Sequence, residues 1–262
     1  MHNGTGSPEM PDSPESPRDG SGAMFDRIAA RYDLLNRVLS LGLDRGWRRA
    51  ATKALQPPAN SRILDVATGT GDLALAILRR YPTSTVDGLD PSGNMLALAD
   101  RKAANRKVDA RYTSHVGDAQ ALPFADATFD GATIAFGIRN VPDRLKGLQE
   151  MARVVKPGGR VVVLELTEPR SRMPWGLAAR LWVHQIVRRL GAWLSRSHEY
   201  RYLQRSIEAF PPPAEFAGLM REAGLVEVTV RSLGLGSVAL FVGVVPQAVG
   251  AVPRAVAAVP QA

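Results

Sequence analysis

Between about residue 62 and residue 166 the chain alternates short apolar runs with longer amphipathic stretches. Ile63-Leu64-Asp65-Val66 reads as a strand, followed by a glycine turn and a helix through Leu73, Leu75 and Ile77 to about 80. A second strand is predicted at 85–90, ending on Asp90. Pro91-Ser92 then starts a helix with Met95, Leu96 and Leu98 inward. A third strand at 111–116 runs into Gly117-Asp118-Ala119, and Leu122 to Asp126 forms a turn. A fourth strand is predicted at 129–136 and a helix at 143–155. Lys156-Pro157-Gly158-Gly159 reads as a turn before a fifth strand, Val161 to Leu166. Beyond Pro211–Pro213 a helix at 214–223 stops at Gly224. Val226–Arg231 and Val238–Val244 then read as a hairpin closing the sheet. Strands alternating with helices predict an α/β fold with a mostly parallel, seven-stranded sheet and helices on both faces.

The flanks follow other patterns. Residues 1–22 are rich in Gly, Ser, Pro and acids and are expected to be a disordered tail. From Phe25 to Leu55 apolar residues recur at helical spacing, with a break at Gly42 and Trp47 in the second helix. This helical preface, 23–58, either lids a pocket or packs on the sheet. Residues 170–205 hold three tryptophans and eight arginines against the single acid Glu199. They predict a helical insertion, 170–210, over a hydrophobic ligand or against a membrane surface. Residues 246–262 repeat Ala, Val, Pro and Gln and read as a mobile tail. The expected organisation is one domain, 23–245, between two tails.

Composition narrows the chemistry. There is no cysteine, and the four histidines are scattered, so no thiolate or paired-histidine metal site is expected. No apolar run approaches the ~20 residues of a membrane helix, and a cytoplasmic protein is the default expectation. The formal net charge is +8. Residues 1–22 carry four acids against one arginine, −3, which leaves +11 on the rest. Such a body suits an anionic surface, nucleic acid or lipid headgroups.

The candidate site is the turn Thr68-Gly69-Thr70-Gly71-Asp72. Gly69 and Gly71 let a ligand approach the main chain closely. Gly69-x-Gly71-x-x-Ala74 also satisfies the dinucleotide fingerprint, with Asp90 about 20 residues on. Asp72 argues against a dinucleotide, because a carboxylate would stand beside the pyrophosphate at the helix N-terminus. Asp65 and Asp72 instead suit a ligand with a cationic end and no phosphate, such as S-adenosylmethionine. Asp90 would accept from its ribose hydroxyls. Asp65, Asp90 and Asp118 all fall at or just after strand ends, where open α/β sheets bind ligands.

The chain resembles the class I S-adenosylmethionine-dependent methyltransferases with their Rossmann-like fold. More narrowly it resembles the quinone-biosynthesis C-methyltransferases. The resemblance covers about 24–244. It rests on Phe25-Asp26-Arg27-Ile28-Ala29 through Tyr32, Asn36 and Trp47, on Thr68 to Asp72, and on Phe136-Gly137-Ile138-Arg139-Asn140-Val141. It rests further on Arg153 to Gly159, on Tyr202-Leu203 with Ser206-Ile207 and Phe210-Pro211, and on Gly236 with Val238-Ala239-Leu240. Leu35, Asp44, Ala135 and Thr167 depart from the family pattern. The resemblance implies C-methylation of a reduced polyprenyl quinone, demethylmenaquinol first and a methoxy-polyprenyl benzoquinol as the alternative. It places cofactor contacts on Thr70, Asp90, Asp118, Ala119 and Ala135, beside Asp65, Gly69 and Gly71 of the turn. Arg139 and Asn140 are the residues expected to favour the quinol phenolate, with Tyr32 holding a ring oxygen. For Arg139 the plain alternative is an ion pair with Asp143 or Glu150.

No metal is called for. The partners implied are a polyprenyl quinol, a transient anionic membrane surface at the inner face of the cytoplasmic membrane, and optionally a second copy in a homodimer. No nucleic acid is expected. A methyltransferase acting on a different small molecule, a nicotinamide dehydrogenase and a nucleic-acid binder on the same fold are the competing readings.

Overall fold

The computed structural model describes Ser40 and residues 42–167, 206–207 and 209–247. The elements in chain order begin with α1 (Asp44–Leu55), β1 (Arg62–Val66), α2 (Asp72–Arg80) and β2 (Thr85–Asp90). There follow α3 (Gly93–Asn105), β3 (Tyr112–Val116), β4 (Phe129–Ala135) and α4 (Arg144–Val154). The order closes with β5 (Val155–Leu166), α5 (Pro213–Glu222), β6 (Val226–Leu233) and β7 (Val238–Val244).

The seven strands form one sheet in the order β3-β2-β1-β4-β5-β7-β6. β7 alone runs antiparallel to its neighbours. The expected mostly parallel sheet with a closing hairpin is therefore what the chain builds. The order reverses between β1 and β4, and the crevice beyond their carboxyl ends is where such sheets take ligands.

Strand periodicity divides the core between the two sheet faces. On one face Ile63, Val86, Val162 and Leu164 pack against α1, α2 and α3. On the other Leu64, Val66, Ile134 and Val163 pack with Leu148, Met151 and Phe216 of α4 and α5. The described part of the helical preface belongs to the first face. Ala51 and Leu55 of α1 are buried against the sheet, and the Arg160 guanidinium donates to Ala54 O at 2.9 Å. Along 44–55 the preface is thus a sheet-packing helix. Its earlier half, 23–39, and the 170–205 insertion lie outside the described residues.

One boundary differs from expectation. β5 starts at Val155, six residues before the predicted Val161, and includes Lys156 to Gly159. Gly158 holds φ +82°, and a Cβ on Gly159 would stand 2.5 Å from Val155 Cγ1. The glycines that signal a turn here permit an irregular strand start, with a register shift against β4 between Phe129 and Gly131.

Candidate active site

The strand β1 delivers Asp65 to the face that carries α2, where it is 1% exposed. Thr68 Oγ1 donates to its Oδ2 at 2.7 Å and Thr133 Oγ1 to its Oδ1 at 2.6 Å. The backbone N–H of Ala74, in the first turn of α2, also donates to this carboxylate. The anion therefore serves as the acceptor that Gly71, having no side chain, cannot supply at the start of α2. Burial pushes the Asp65 carboxyl up to about 6, against the opposing pull of Thr133, Thr68 and the nearby Arg48 charge. Asp65 orients the glycine turn from beneath.

The turn repeats one backbone conformation, which strains only its alanine. Ala67 (φ +49°), Gly69 (φ +56°) and Gly71 (φ +78°) all lie in the left-handed region. A Cβ on Gly69 would meet nothing within 4 Å, so its main chain faces open space. A Cβ on Gly71 would stand 2.9 Å from Ala99 Cβ on α3. One glycine opens the cradle and the other lets two helices close behind it.

At the end of β2, Asp90 is 7% exposed. Gly69 N donates to its Oδ2 at 2.8 Å and Ser92 N to its Oδ1 at 2.9 Å. Thr68 N donates to Leu89 O and Gly117 N to Asp90 O, tying the loops after β1, β2 and β3 into one rim. Asp118 is exposed on that rim. Its carboxylate accepts from the backbone and side chain of Gln120, and Ala119 beside it is buried. Asp90 and Asp118 stand at the carboxyl edge of the sheet, while Asp65 lies beneath the turn with its oxygens taken by Thr68 and Thr133 and does not face the crevice with them.

Asp72 opens α2 as its first residue. Lys102 of α3 donates to Asp72 Oδ1 and to Thr70 Oγ1, both at 2.8 Å. Burial raises the Asp72 carboxyl, but the Lys102 ammonium outweighs it and holds the group below the usual carboxylate range. Much of the negative charge at this point is thus answered by the protein itself.

Across the crevice, β4 ends at the half-buried Ala135, and Phe136 follows with φ +59°. A Cβ on Gly137 would stand 2.6 Å from Ala67 Cβ, so only glycine lets the β1 and β4 loops approach this closely. A short 3-10 turn, Ile138–Asn140, buries Arg139 (6% exposed) and Asn140 (9%). Arg139 Nη1 donates to Glu165 Oε1 and to Phe136 O, each at 2.6 Å, and Arg139 N donates to Glu165 Oε2 at 3.2 Å. Glu165, on β5, is fully buried. The partner of Arg139 is therefore neither Asp143 nor Glu150, which accept elsewhere: Asp143 caps α4 and Glu150 pairs with Arg153.

Three contributors escaped the sequence reading. Lys102 and Glu165 lie 30 and 26 residues from their partners, with no local spacing to mark them. Arg48 of α1 sits over the Phe136 ring at 5.2 Å, close enough to Asp65 and Asp72 to favour their ionised forms. In sequence it is one more arginine in a basic helix. Tyr32 lies outside the described residues. Among the described residues no group of three His, Asp or Glu side chains is placed to hold a metal.

Comparison with known proteins places this geometry. A family model described as the ubiE/COQ5 methyltransferase family matches residues 16–245. The ubiquinone/menaquinone biosynthesis C-methyltransferase UbiE of Syntrophotalea carbinolica is 47% identical over 220 residues, 84% of this chain and 92% of that one. The demethylmenaquinone methyltransferase of Deinococcus radiodurans is 46% identical, covering 84% and 90%. That of Thermus thermophilus is 47% identical, covering 84% and 99%. Among solved structures, phosphoethanolamine N-methyltransferase 2 of Haemonchus contortus in complex with S-adenosylmethionine superposes with a TM-score of 0.64 at 18% identity, covering 91% and 62%. A SAM-dependent methyltransferase of Thermotoga maritima gives 0.58 at 20%, covering 86% and 99%. These two likenesses establish the fold.

Proposed function

The chain belongs to the ubiE/COQ5 methyltransferase family, and we propose that it methylates a ring carbon of a reduced polyprenyl naphthoquinone, turning a demethylmenaquinol into the menaquinol. The observation that carries this reading is the 46–47% identity to two relatives named for that one reaction. Menaquinone chemistry is common to all three relatives described above. The ubiquinone ring enters only through the Syntrophotalea name and is the less favoured substrate.

The enzyme is a C-methyltransferase that uses S-adenosylmethionine, which supplies an electrophilic methyl group on a sulfonium. The residues present fit that cofactor: an open cradle at Gly69, a buried carboxylate at the end of β2, and no cation on the turn's own sequence. Asp65, Gly69, Thr70 and Gly71 would shape the cradle, and Asp90 would accept from the ribose. Asp118, Ala119 and Ala135 would line the adenine and methionine ends.

Catalysis is then mainly alignment of a nucleophilic carbon with the methyl group. A quinol ring carbon becomes nucleophilic when the neighbouring hydroxyl loses its proton. Arginine is a poor base, so Arg139 would stabilise the phenolate while water takes the proton. Glu165 keeps the guanidinium fixed before substrate arrives, which favours preorganisation over reach. Asn140 beside it, and Tyr32, would hold the ring oxygens. As the carbon–carbon bond forms, the methyl–sulfonium bond would break to release S-adenosylhomocysteine, and the ring proton would leave to water, which restores aromaticity.

The polyprenyl tail resides in a bilayer, so transient contact with an anionic membrane surface belongs to the same reading. No described helix is long and apolar enough to cross a membrane.

The test is methyl transfer from labelled S-adenosylmethionine to chemically reduced demethylmenaquinol and to a methoxy-polyprenyl benzoquinol. Label in the naphthoquinol alone is expected. Label in the benzoquinol alone would overturn the ring choice, and label in neither, with cofactor still bound, would overturn the quinol reading.

A further inference from the structure

A cleft of about 960 Å³ opens between α1 and α2, away from the glycine turn except where Asp72 reaches its upper end. Arg45, Arg48 and Arg49 line one wall, Arg79 and Arg80 the other, and Arg106, just beyond α3, closes the side. The Arg48 charge acts on Asp72 at the start of α2, and Tyr81, just past the end of α2, donates its hydroxyl to Thr52 O of α1 at 3.0 Å.

The two acids in the cleft are already engaged. Asp44 accepts from Ser40 at 3.0 Å and pairs with Arg48 at 3.7 Å, while Asp72 is held by Lys102. Among the described residues no carboxylate lies within ion-pair distance of Arg45, Arg49, Arg79 or Arg106. All four are exposed. Like charges gathered in one concave surface repel one another, and an anion seated between them relieves that repulsion. The chain beside the cleft carries a second feature. Leu43, immediately before the lining residue Asp44, is 48% exposed. An apolar side chain beside a row of arginines suits the boundary between headgroup and acyl chain. A single-stranded nucleic-acid groove would pair its cations with aromatic stacking platforms, and no described lining residue is aromatic.

We propose that this arginine cleft docks the phosphodiester headgroups of anionic phospholipid and so holds the protein at the bilayer that carries its substrate. The link to substrate entry rests on the quinol reading above; the docking itself does not. Guanidinium groups bind phosphodiester oxygens through paired hydrogen bonds, and each basic group near an anionic surface adds to attachment.

The experiment is co-sedimentation of the full chain with vesicles of phosphatidylcholine alone and with phosphatidylglycerol added. The parent is expected to bind only the anionic vesicles. The variant Arg45→Glu, Arg49→Glu, Arg79→Glu, Arg80→Glu is expected to bind them roughly tenfold or more weakly, with its melting temperature and calorimetric binding of S-adenosylhomocysteine retained. A milder pair, Arg45→Gln and Arg79→Gln, should give an intermediate loss and guards against misfolding of the first. Unchanged vesicle binding by both variants overturns the proposal, as does a parent that ignores anionic vesicles. Displacement from vesicles by inorganic phosphate at constant ionic strength would assign the cleft to a free anion. Loss of duplex DNA retention with vesicle binding intact would assign it to nucleic acid. The readout is binding, so a parent that binds vesicles yet methylates no quinol sinks the substrate reading alone.

Discussion

Asp65 is a carboxylate that the fold buries and then uses. Its unfolded value is near 3.9, and burial lifts the native value to about 6. The native state therefore binds this proton more tightly than the unfolded chain. The contribution to stability is complete below about pH 4 and is lost as pH rises through 6, amounting to about 3 kcal/mol. Urea unfolding across that window should show the parent losing stability relative to Asp65→Asn as pH rises. A difference between the two that stays flat from pH 4 to 7 would refute the linkage. Arg139 poses the opposite problem, a cation whose partner is fully buried. Arg139→Ala leaves Glu165 uncompensated and should cost about 3–5 kcal/mol by denaturant unfolding. The double variant Arg139→Met, Glu165→Gln removes both charges and should recover most of that loss, while kcat stays down by about a hundredfold or more. If stability and kcat recover together, the guanidinium is structural only.

At the scale of elements, two glycines carry constraints that no other residue meets. Gly71 combines φ +78° with a Cβ position 2.9 Å from Ala99. Gly71→Ala should cost about 2–4 kcal/mol, from the left-handed backbone and the α2–α3 collision together. The same change at Gly69, where the Cβ space is open, should cost only the backbone part, measured as two melting curves side by side. This difference also marks what the sequence could convey. Apolar runs announced β1, β5 and β7, because strands buried on both faces need continuous Val, Ile and Leu, whereas the edge strands β3 and β6 are largely exposed and carry no such run. The glycine turn and the acids at strand ends were legible because each sits within a few residues of the element that places it. The start of β5 was not, because its glycines suit a turn as well as a bulge. Lys102 and Glu165 were invisible for another reason: their partners arrive through the sheet order, across two or more elements. Arg153 shows the reverse case. It lies in a stretch that carried the family resemblance, and it clamps Leu122 O, Phe124 O, Asp126 and Glu150, a structural duty at the loop that follows Ala119.

For the whole molecule the governing quantity is the +11 outside the acidic N-terminal residues. A soluble quinol analogue meets this charge as a neutral solute, so its encounter rate is indifferent to salt. A quinol in an anionic vesicle is reached only after the protein meets the surface, and that attraction decays over the Debye length, about 10 Å at 0.1 M and about 3 Å at 1 M salt. Cofactor affinity offers little salt dependence of its own, because the acids that would meet the ligand are buried or already hydrogen-bonded on the rim. Raising ionic strength from about 0.05 to 0.5 M should therefore lower turnover on vesicle-borne quinol roughly tenfold or more, through KM, while leaving turnover on a short-chain soluble quinol within about twofold. Parallel rate measurements on the two substrates check this. Equal salt sensitivity in both would place the electrostatics in the active-site crevice, and insensitivity in both would leave the basic body without a role in reaching the substrate.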